Sequence, residues 1–578
     1  MSAANEDGGA IVAEALARRG VRFLSTLCGG HISPILVAAK RRGIRVVDTR
    51  DEATAVFAAD AVSRLTGKPG VAAVTAGPGV TNSITALTNA RLAPSPLVLL
   101  GGATATLLRG RGALQDIDQL AIVRSQVKWS ARANRLRDVE PLLARAFTES
   151  VSGVPGPVFL ELPVDLLYPE AIVRRLYGVS DAKKPQGLAQ RFQRAVIERH
   201  VRKLFAGAPS SVAAIAPRER LAPESAITAA AAILRASRRP VLLVGGQAAL
   251  HPERIEPLIG ALSKLGVPVF LSGMARGLLG RHHPLQARHR RKEALREADC
   301  VLLAGVPCDF RLEYGRHICR TAQVIAVNVR PDEVRKNRKP RVGACGDPAL
   351  FLEALAAACG PLDCAAWRET LATRDAERDR EIERMAAEPM SLLNPLALCR
   401  AIEDAADDDS VIVADGGDFV ATASYIVRPR RPLSWLDPGV FGTLGGGAGF
   451  ALGAKLCRPS AEVWLIYGDG SAGYSLAEFD TFVRHGLSVI AVVGNDASWM
   501  QIARDQVAML GDAVGTELRR TDYHRVAEGW GGRGLLLDDP RRIPAVLAEA
   551  KAIARSGSPV LINAHLGATE FRKGSLSL

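Results

Sequence analysis

Residues 467–499 read YGDGSAGYSLAEFDTFVRHGLSVIAVVGNDASW, and the reading of this stretch decides the fold. An apolar run ends in Gly468-Asp469-Gly470, a segment with helix-like spacing follows, and a second apolar run ends in Asn495-Asp496. Strand, turn, helix and strand in that order form the unit of a parallel sheet, in which ligands bind beyond the carboxyl ends of the strands. If the two strands are neighbours, Asp469 converges with Asn495 and Asp496 on one point. Gly468 and Gly470 let backbone approach a ligand closely, and a helix expected to begin near Ser471 turns its first amide groups toward an anion. Hard oxygen donors of this kind suit Mg2+, which retains phosphate oxygens in its octahedron. The stretch reads as an anchor for a metal-bound diphosphate; the plainer alternative is a turn, because an isolated Gly-Asp-Gly is a common turn sequence.

The same alternation runs through the whole chain of 578 residues, too long for one core. GVAAVTAG (70–77), SPLVLLGG (95–102) and GPVFLELP (156–163) punctuate the first third. RPVLLVGG (239–246), CVLLAGV (300–306) and QVIAVNV (323–329) punctuate the second, and SVIVADGG (410–417), EVWLIYGDG (462–470) and LSVIAVVGND (487–496) the third. Continuous apolar strands imply sheets covered by helices on both faces. The expected fold class is therefore α/β, with three doubly wound parallel-sheet domains at 1–180, 225–370 and 371–578 and a basic linker at 181–224. Within the linker Leu188, Phe192 and Val196 follow a four-residue step while Arg191, Arg194, Arg199, Arg202 and Lys203 face elsewhere. We expect this helix to pack across a domain seam, with attachment to an anionic membrane surface as the alternative. A charged segment, RDAERDREIERMAAEPMSLLNP (374–395), marks the second seam and reads as a helix closed by Pro395.

The formal charge of +14 favours an anionic partner, a nucleic acid, a membrane or a phosphate-rich metabolite. Nucleic acid is disfavoured, since there is no zinc-finger spacing, no RNA-binding signature and no interleaving of aromatic with basic residues. The nine cysteines include no Cys-x-x-Cys, which suggests a reducing compartment. The start MSAANEDGG has no apolar segment and no stretch is long enough to span a bilayer, so no transmembrane segment and a cytoplasmic location are expected.

Gly-Asp-Gly followed at this distance by a strand ending in Asn-Asn is the signature of thiamine-diphosphate enzymes, and 467–499 resembles it with Asp496 in place of the second Asn. The resemblance implies Mg2+ held by Asp469, the side chain at 496 and the backbone carbonyl of Ser498, with Asn495 as the alternative to 496. It also implies a carboxylate against the aminopyrimidine ring. VVDTRDEATAVFAADAVSRLTG (46–67) is similar to the family's strand, Arg-His-Glu and Ala-rich helix, so Glu52 takes that role and Asp51 is its nearest rival. TAGPGVTNSITALTNARLAPSPLVLLGG (75–102) resembles the family's Gly-Pro-Gly loop, with Gly79 and Asn82 inside it, and RGALQDIDQL (111–120) places Gln115 where relatives keep a substrate-facing Gln. FGTLGGGAGFALGAKLC (441–457) resembles the Gly-rich stretch whose bulky residue, here Leu444 beside Gly442, wedges between the two rings of the cofactor.

These pieces occur in the order and over the full length of the acetolactate synthase family. The family's architecture is pyrimidine-binding, central and diphosphate-binding domains, with one site assembled from two subunits; it implies a homodimer at minimum and a homotetramer as the expected state. CGGHISPIL (28–36), GVPCDFRLEYGR (305–316), GNDASWMQIARDQV (494–507) and RRTDYHRVAEGWGGRG (519–534) resemble the acetolactate-synthase-like branch of 2-hydroxyacyl-CoA lyases, type 2. That branch cleaves a 2-hydroxyacyl-CoA between C1 and C2 into an aldehyde and formyl-CoA, or joins them in reverse. The resemblance makes His31, following Gly29 and Gly30, the group for the 2-hydroxyl proton, with Gln115 orienting the carbonyl. Arg276, Arg311, Arg316, Arg330 and Arg335 are candidates for the phosphates of coenzyme A, and ADP or FAD is the expected occupant of the central domain. The tail GATEFRKGSLSL (567–578), with Arg572, Lys573 and Gly574, resembles a lid over the substrate. The alternatives are a carboligase of the acetolactate synthase type acting on pyruvate or another 2-oxo acid, and an oxalyl-CoA decarboxylase.

Overall fold

The computed structural model describes residues 7–180, 187–207 and 220–573. Part of the linker (181–186 and 208–219) and the end of the expected lid, including Gly574, lie outside the described residues. The chain divides into two compact units, Met1–Ser63 with Lys68–Pro217 and Arg64–Gly67 with Arg218–Leu578.

The first unit is built on six parallel strands, β1 (Phe23–Thr26), β2 (Arg45–Asp48), β3 (Gly70–Val74), β4 (Leu97–Ala103), β5 (Trp129–Arg132) and β6 (Pro157–Pro163), in the order β2-β1-β3-β4-β6-β5. Every residue of β3, β4 and β6 is buried, as expected of strands covered on both faces. The core on one face joins Val98, Leu100, Leu160 and Leu162 to Ile11, Leu16 and Leu143 of the covering helices.

The second unit carries two parallel sheets. The central one comprises β7 (Pro240–Val244), β8 (Val269–Leu271), β9 (Cys300–Ala304), β10 (Gln323–Asn328) and β11 (Val342–Cys345), ordered β11-β10-β9-β7-β8. The other comprises β12 (Val411–Ala414), β13 (Trp435–Leu436), β14 (Val463–Gly468), β15 (Ile490–Asn495), β16 (Arg533–Leu537) and β17 (Val560–His565), ordered β13-β12-β14-β15-β17-β16. All nine apolar runs singled out in the sequence are strands, and β14 and β15 are neighbours in register, Gly468 opposite Gly494.

Two local expectations change. The charged segment belongs to the helix Ala365–Ala386, but Pro395 opens the next helix, Pro395–Ala405. Asn394 caps that helix by accepting from Leu396 N (3.0 Å) and ties it back by donating to Met385 O (2.8 Å); proline fits there because a first-turn residue has no intrahelical partner for an N–H. The linker helix, Leu188–Leu204, does form, but its four-step apolar stripe faces outward: Leu188 is 83% and Phe192 74% exposed, while Val201 and Leu204 are buried.

Candidate active site

In the first unit the turns leaving β1 to β4 gather six of the predicted residues, Gly30, His31, Glu52, Gly79, Asn82 and Gln115, at the carboxyl edge of the sheet. Glu52 opens the helix Glu52–Thr66 directly after β2 and is buried. Its Oε2 accepts from Asn82 Nδ2 at 3.0 Å, and a Cβ on Gly79 would stand 3.4 Å from Oε1. Gly79 thus keeps the space beside the carboxylate open. His31, after β1, has Nδ1 3.3 Å from Thr75 Oγ1 at the end of β3, and burial lowers its pKa, which keeps the imidazole neutral at neutral pH. Gly30 has open space over its Cα, whereas Gly29 packs on Thr75 so closely that a Cβ would come within 2.3 Å of it.

Gln115, in the loop after β4, adopts the left-handed conformation (φ 62°) and lies against Gly77. Beside it is a polar cavity of about 250 Å³ lined also by Thr104, Arg109, Gln119 and His200. Gln119 escaped the sequence analysis although it lies within the quoted RGALQDIDQL. Its buried amide accepts from Gly77 N (2.7 Å) and donates to Gly102 O (3.0 Å), which locks the loops that follow β3 and β4 together.

In the second unit the turns after β12, β14 and β15 meet at one cavity of about 960 Å³. The helix after β14 begins at Asp469, two residues earlier than expected, and runs only to Ser475. Ser471 is structural: its hydroxyl accepts from Gly468 N (3.1 Å) and lies 3.0 Å from Gly416 O, which fixes the turn in the manner of a capping box. That turn sets the Asp469 carboxylate. Oδ1 accepts from Gly470 N (2.9 Å), while Oδ2 is buried with no hydrogen-bond partner among the described residues. A Cβ on Gly470 would stand 2.3 Å from the Trp499 ring, so only glycine fits.

Asp496 points into the same cavity and its Oδ1 accepts from Ser498 N (3.1 Å), across a left-handed Ala497 (φ 58°). Burial, then the charges of Asp469 and Asp418, push the Asp496 carboxyl up to about 7; burial raises Asp469 as well. Two carboxylates that resist ionising together, Asp469 buried with an orphaned oxygen and Asp496 half-buried, fit a hard divalent cation. Asn495, the alternative ligand, is placed differently, and its Oδ1 is also buried without a hydrogen-bond partner among the described residues. Side chains alternate along a strand, so Asn495 turns inward, donating to Thr521 O and Asn563 Oδ1 at 3.1 Å each, and does not line the cavity.

Leu444 lines this cavity with Gly442, and its Cδ2 lies where a Cβ on Gly416 would come within 2.2 Å. The loop that carries it is held by Asp415: Oδ1 accepts from Gly445 N (2.9 Å) and Oδ2 from Gly447 N (3.0 Å). No local pattern marks Asp415 as part of the site, because these partners lie 30 and 32 residues further along the chain. The residue is buried, and its carboxyl is raised by burial to about 7.

Of the six arginines proposed for the substrate, Arg276, Arg311 and Arg572 line the large cavity. Arg276 lies over the Trp435 ring (4.8 Å) and donates to Ser424 O (2.6 Å), Arg311 pairs with Asp309 (2.7 Å), and Arg572 lies over the Tyr425 ring (5.3 Å). Arg316, Arg330 and Arg335 do not line it. Arg316 is exposed near Glu313, Arg330 pairs with Asp332 and Glu333, and Arg335 is exposed. Arg330 is half-buried just after β10, at the carboxyl edge of the central sheet. Arg291 was missed; it lines the cavity, and its guanidinium donates to Arg311 O (2.9 Å). An adjoining cavity of about 660 Å³ adds Arg288, Arg290, Lys292 and His317.

The chain matches the thiamine pyrophosphate enzyme family in three segments: the N-terminal TPP binding domain over residues 6–122, the central domain over 227–355 and the C-terminal TPP binding domain over 415–564. It is 49% identical to 2-hydroxyacyl-CoA lyase 2 of Bos taurus over 100% of this chain and 93% of that protein. It is 48% identical to the Homo sapiens 2-hydroxyacyl-CoA lyase 2, over 99% and 92% of the two chains. A probable acetolactate synthase of Mycobacterium bovis is 35% identical, over 96% and 95%. With both the carboxylate turn of the first sheet and the Gly-Asp-Gly turn of the third in place, the chain belongs to the thiamine pyrophosphate enzyme family.

Proposed function

We propose that the protein is a thiamine-diphosphate-dependent 2-hydroxyacyl-CoA lyase, cleaving its substrate to an aldehyde and formyl-CoA and catalysing the condensation in reverse. The observation that carries the choice of substrate is the graded similarity: 49% to a lyase against 35% to a synthase, each over nearly the whole chain.

In this reading Asp469, Asp496 and the carbonyl of Ser498 would hold Mg2+, a cation that favours such oxygen donors together with phosphate. The orphaned Asp469 Oδ2 supports that assignment. Leu444, backed by Asp415, is the wedge between the rings, and Glu52 holds a proton at the pyrimidine ring nitrogen, oriented by Asn82. Thiamine diphosphate, when bound, supplies a nucleophilic carbon that also takes the electron pair left when the C1–C2 bond breaks. His31, neutral through burial and with Nδ1 turned to Thr75, has Nε2 to accept the 2-hydroxyl proton. Taking that proton would let the C1–C2 bond break with the aldehyde as one product, and returning one proton to C1 would complete formyl-CoA. Gln115 orients the thioester carbonyl.

Coenzyme A is strongly anionic, and Arg276, Arg291, Arg311 and Arg572 give the cavity a cationic wall. The carboxyl edge of the central sheet is the expected place for an ADP group or a flavin; the visible absorbance of the purified protein distinguishes them. A homodimer completing each site from two chains, or a homotetramer, and a cytoplasmic location belong to the same reading. No helix among the described residues is long and apolar enough to cross a membrane.

The test supplies a 2-hydroxyacyl-CoA, pyruvate and oxalyl-CoA separately, each with Mg2+ and thiamine diphosphate, and identifies products by mass spectrometry. Formyl-CoA with an aldehyde from the first substrate alone is the expected result. Acetolactate from pyruvate, or formyl-CoA only from oxalyl-CoA, overturns it.

A further inference from the structure

The helix Leu188–Leu204 has two faces of different construction. Its inner face is fixed to the first unit: Val201 and Leu204 are buried, His200 Nε2 lies 2.8 Å from Thr106 Oγ1, and the His200 ring meets Tyr177 edge-on at 6.4 Å. The outer face is therefore held outward. At 100° per residue, Leu188, Phe192 and Val196 fall on one side, and they are 83%, 74% and 48% exposed. The sequence reading set the cations apart from this stripe, but on the helix Arg199 and Lys203 share its side and Arg191 and Arg202 flank it, all of them exposed. The helix contains one acid, Glu198, which falls beside Arg191 at the edge of this face and bonds Arg194 at 2.9 Å. The helix that packs against it, Glu170–Leu176, adds Leu176, 72% exposed, and exposed Arg175.

We propose that this outer face docks on an anionic phospholipid surface, lying in the plane of the headgroups. Three large apolar side chains among cations, with the one acid of the helix paired to Arg194 at the edge, match such a surface on both counts: Leu188, Phe192 and Val196 enter the acyl boundary, and the arginines and lysine meet lipid phosphates. A second copy of the chain fits less well, because a two-fold contact sets the same cations against each other. A polynucleotide would satisfy the cations and leave the apolar stripe on a phosphate backbone. At 17 residues with this charge the helix rests on a membrane and does not cross it.

The experiment sediments the full chain, with Mg2+ and thiamine diphosphate, alongside vesicles of phosphatidylglycerol mixed with phosphatidylcholine and alongside phosphatidylcholine alone. Two double variants accompany it, Leu188→Ser with Phe192→Ser, and Arg199→Glu with Arg202→Glu. All four positions are exposed, so unchanged melting temperature and unchanged turnover of a soluble substrate certify folding. The wild type should pellet with the anionic vesicles, be released by high salt, and bind neutral vesicles weakly; each double variant should partition at least ~10-fold less. Wild type remaining in the supernatant with anionic vesicles, or variants that pellet equally with it, overturns the proposal. So does loss of oligomer in the variants by light scattering, which assigns the face to a second copy.

Discussion

The first sheet runs β2-β1-β3-β4-β6-β5 and the third β13-β12-β14-β15-β17-β16, the same order counted from the first strand of each. Corresponding turns carry different chemistry. Where the turn after β1 presents Gly29, Gly30 and His31, the turn after β12 presents Asp415, Gly416 and Gly417. Where β3 leads to Gly79 and Asn82, β14 leads to Gly468, Asp469 and Gly470. The loop after β4 carries Gln115 and the turn after β15 carries Asp496 and Ser498. In the proposed reading one edge holds and moves protons and the other binds a cation and an anion. A repeated topology thus decides where a site can form, and a handful of turn residues decides what it does.

Substitutions that act on one edge alone separate the two roles. The largest effect belongs to Glu52→Gln, which removes the proton-holding carboxylate of the first edge. Turnover should fall about 10³-fold, while thiamine diphosphate affinity by calorimetry stays within a few-fold. Loss of both together would mean that Glu52 serves binding as well. On the other edge, Asp469→Ala should weaken Mg2+ and cofactor binding about 100-fold in the same titration. Asn495→Ala, beside it, should leave Mg2+ affinity nearly unchanged and cost about 1–2 kcal/mol of stability in denaturant unfolding, since it strands Asn563. Equal losses of metal affinity would restore Asn495 as a ligand.

A smaller effect is expected for Gly470→Ala, whose Cβ must displace Trp499. Overpacking of this kind costs about 1–3 kcal/mol, read as roughly 10-fold weaker cofactor binding with Glu52-dependent proton exchange intact. The smallest concerns Asp415, whose carboxyl is raised from 3.8 to about 7 by burial. An acid whose folded pKa is raised binds protons more tightly folded than unfolded, so wild-type stability is lost as pH rises from about 4 to about 7. Asp415→Asn does not titrate. Its melting temperature relative to wild type should therefore climb through that window, by an amount on the order of a few °C, and a flat difference would refute the assignment.

The strands that were readable in advance are those buried on both faces, because a continuous run of Val, Ile and Leu needs no knowledge of its partners. β5 and β16 were not readable: β5 is only half-buried throughout and β16 begins at exposed Arg533, so neither carries a continuous apolar signature. The Gly-Asp-Gly turn was readable because Asp469, Gly470 and Asp496 lie within a few residues of their own strands. Gln119, Asp415 and Arg291 work through partners 17 to 42 residues away, and nothing local marks them. The linker helix shows a third limit. Periodicity reveals that two faces differ, but the buried face was made by Val201, Leu204 and the His200 bond, so the more apolar-looking stripe stayed outside.

The division of labour between the two edges rests on Glu52 acting on a proton of a cofactor that the other edge holds. Hydrogen–deuterium exchange at C2 of bound thiamine diphosphate, followed by NMR after acid quench, measures that action without any substrate. The account predicts rapid exchange in the wild type and about 10³-fold slower exchange in Glu52→Gln with the cofactor still bound. Exchange at the wild-type rate in that variant would contradict it.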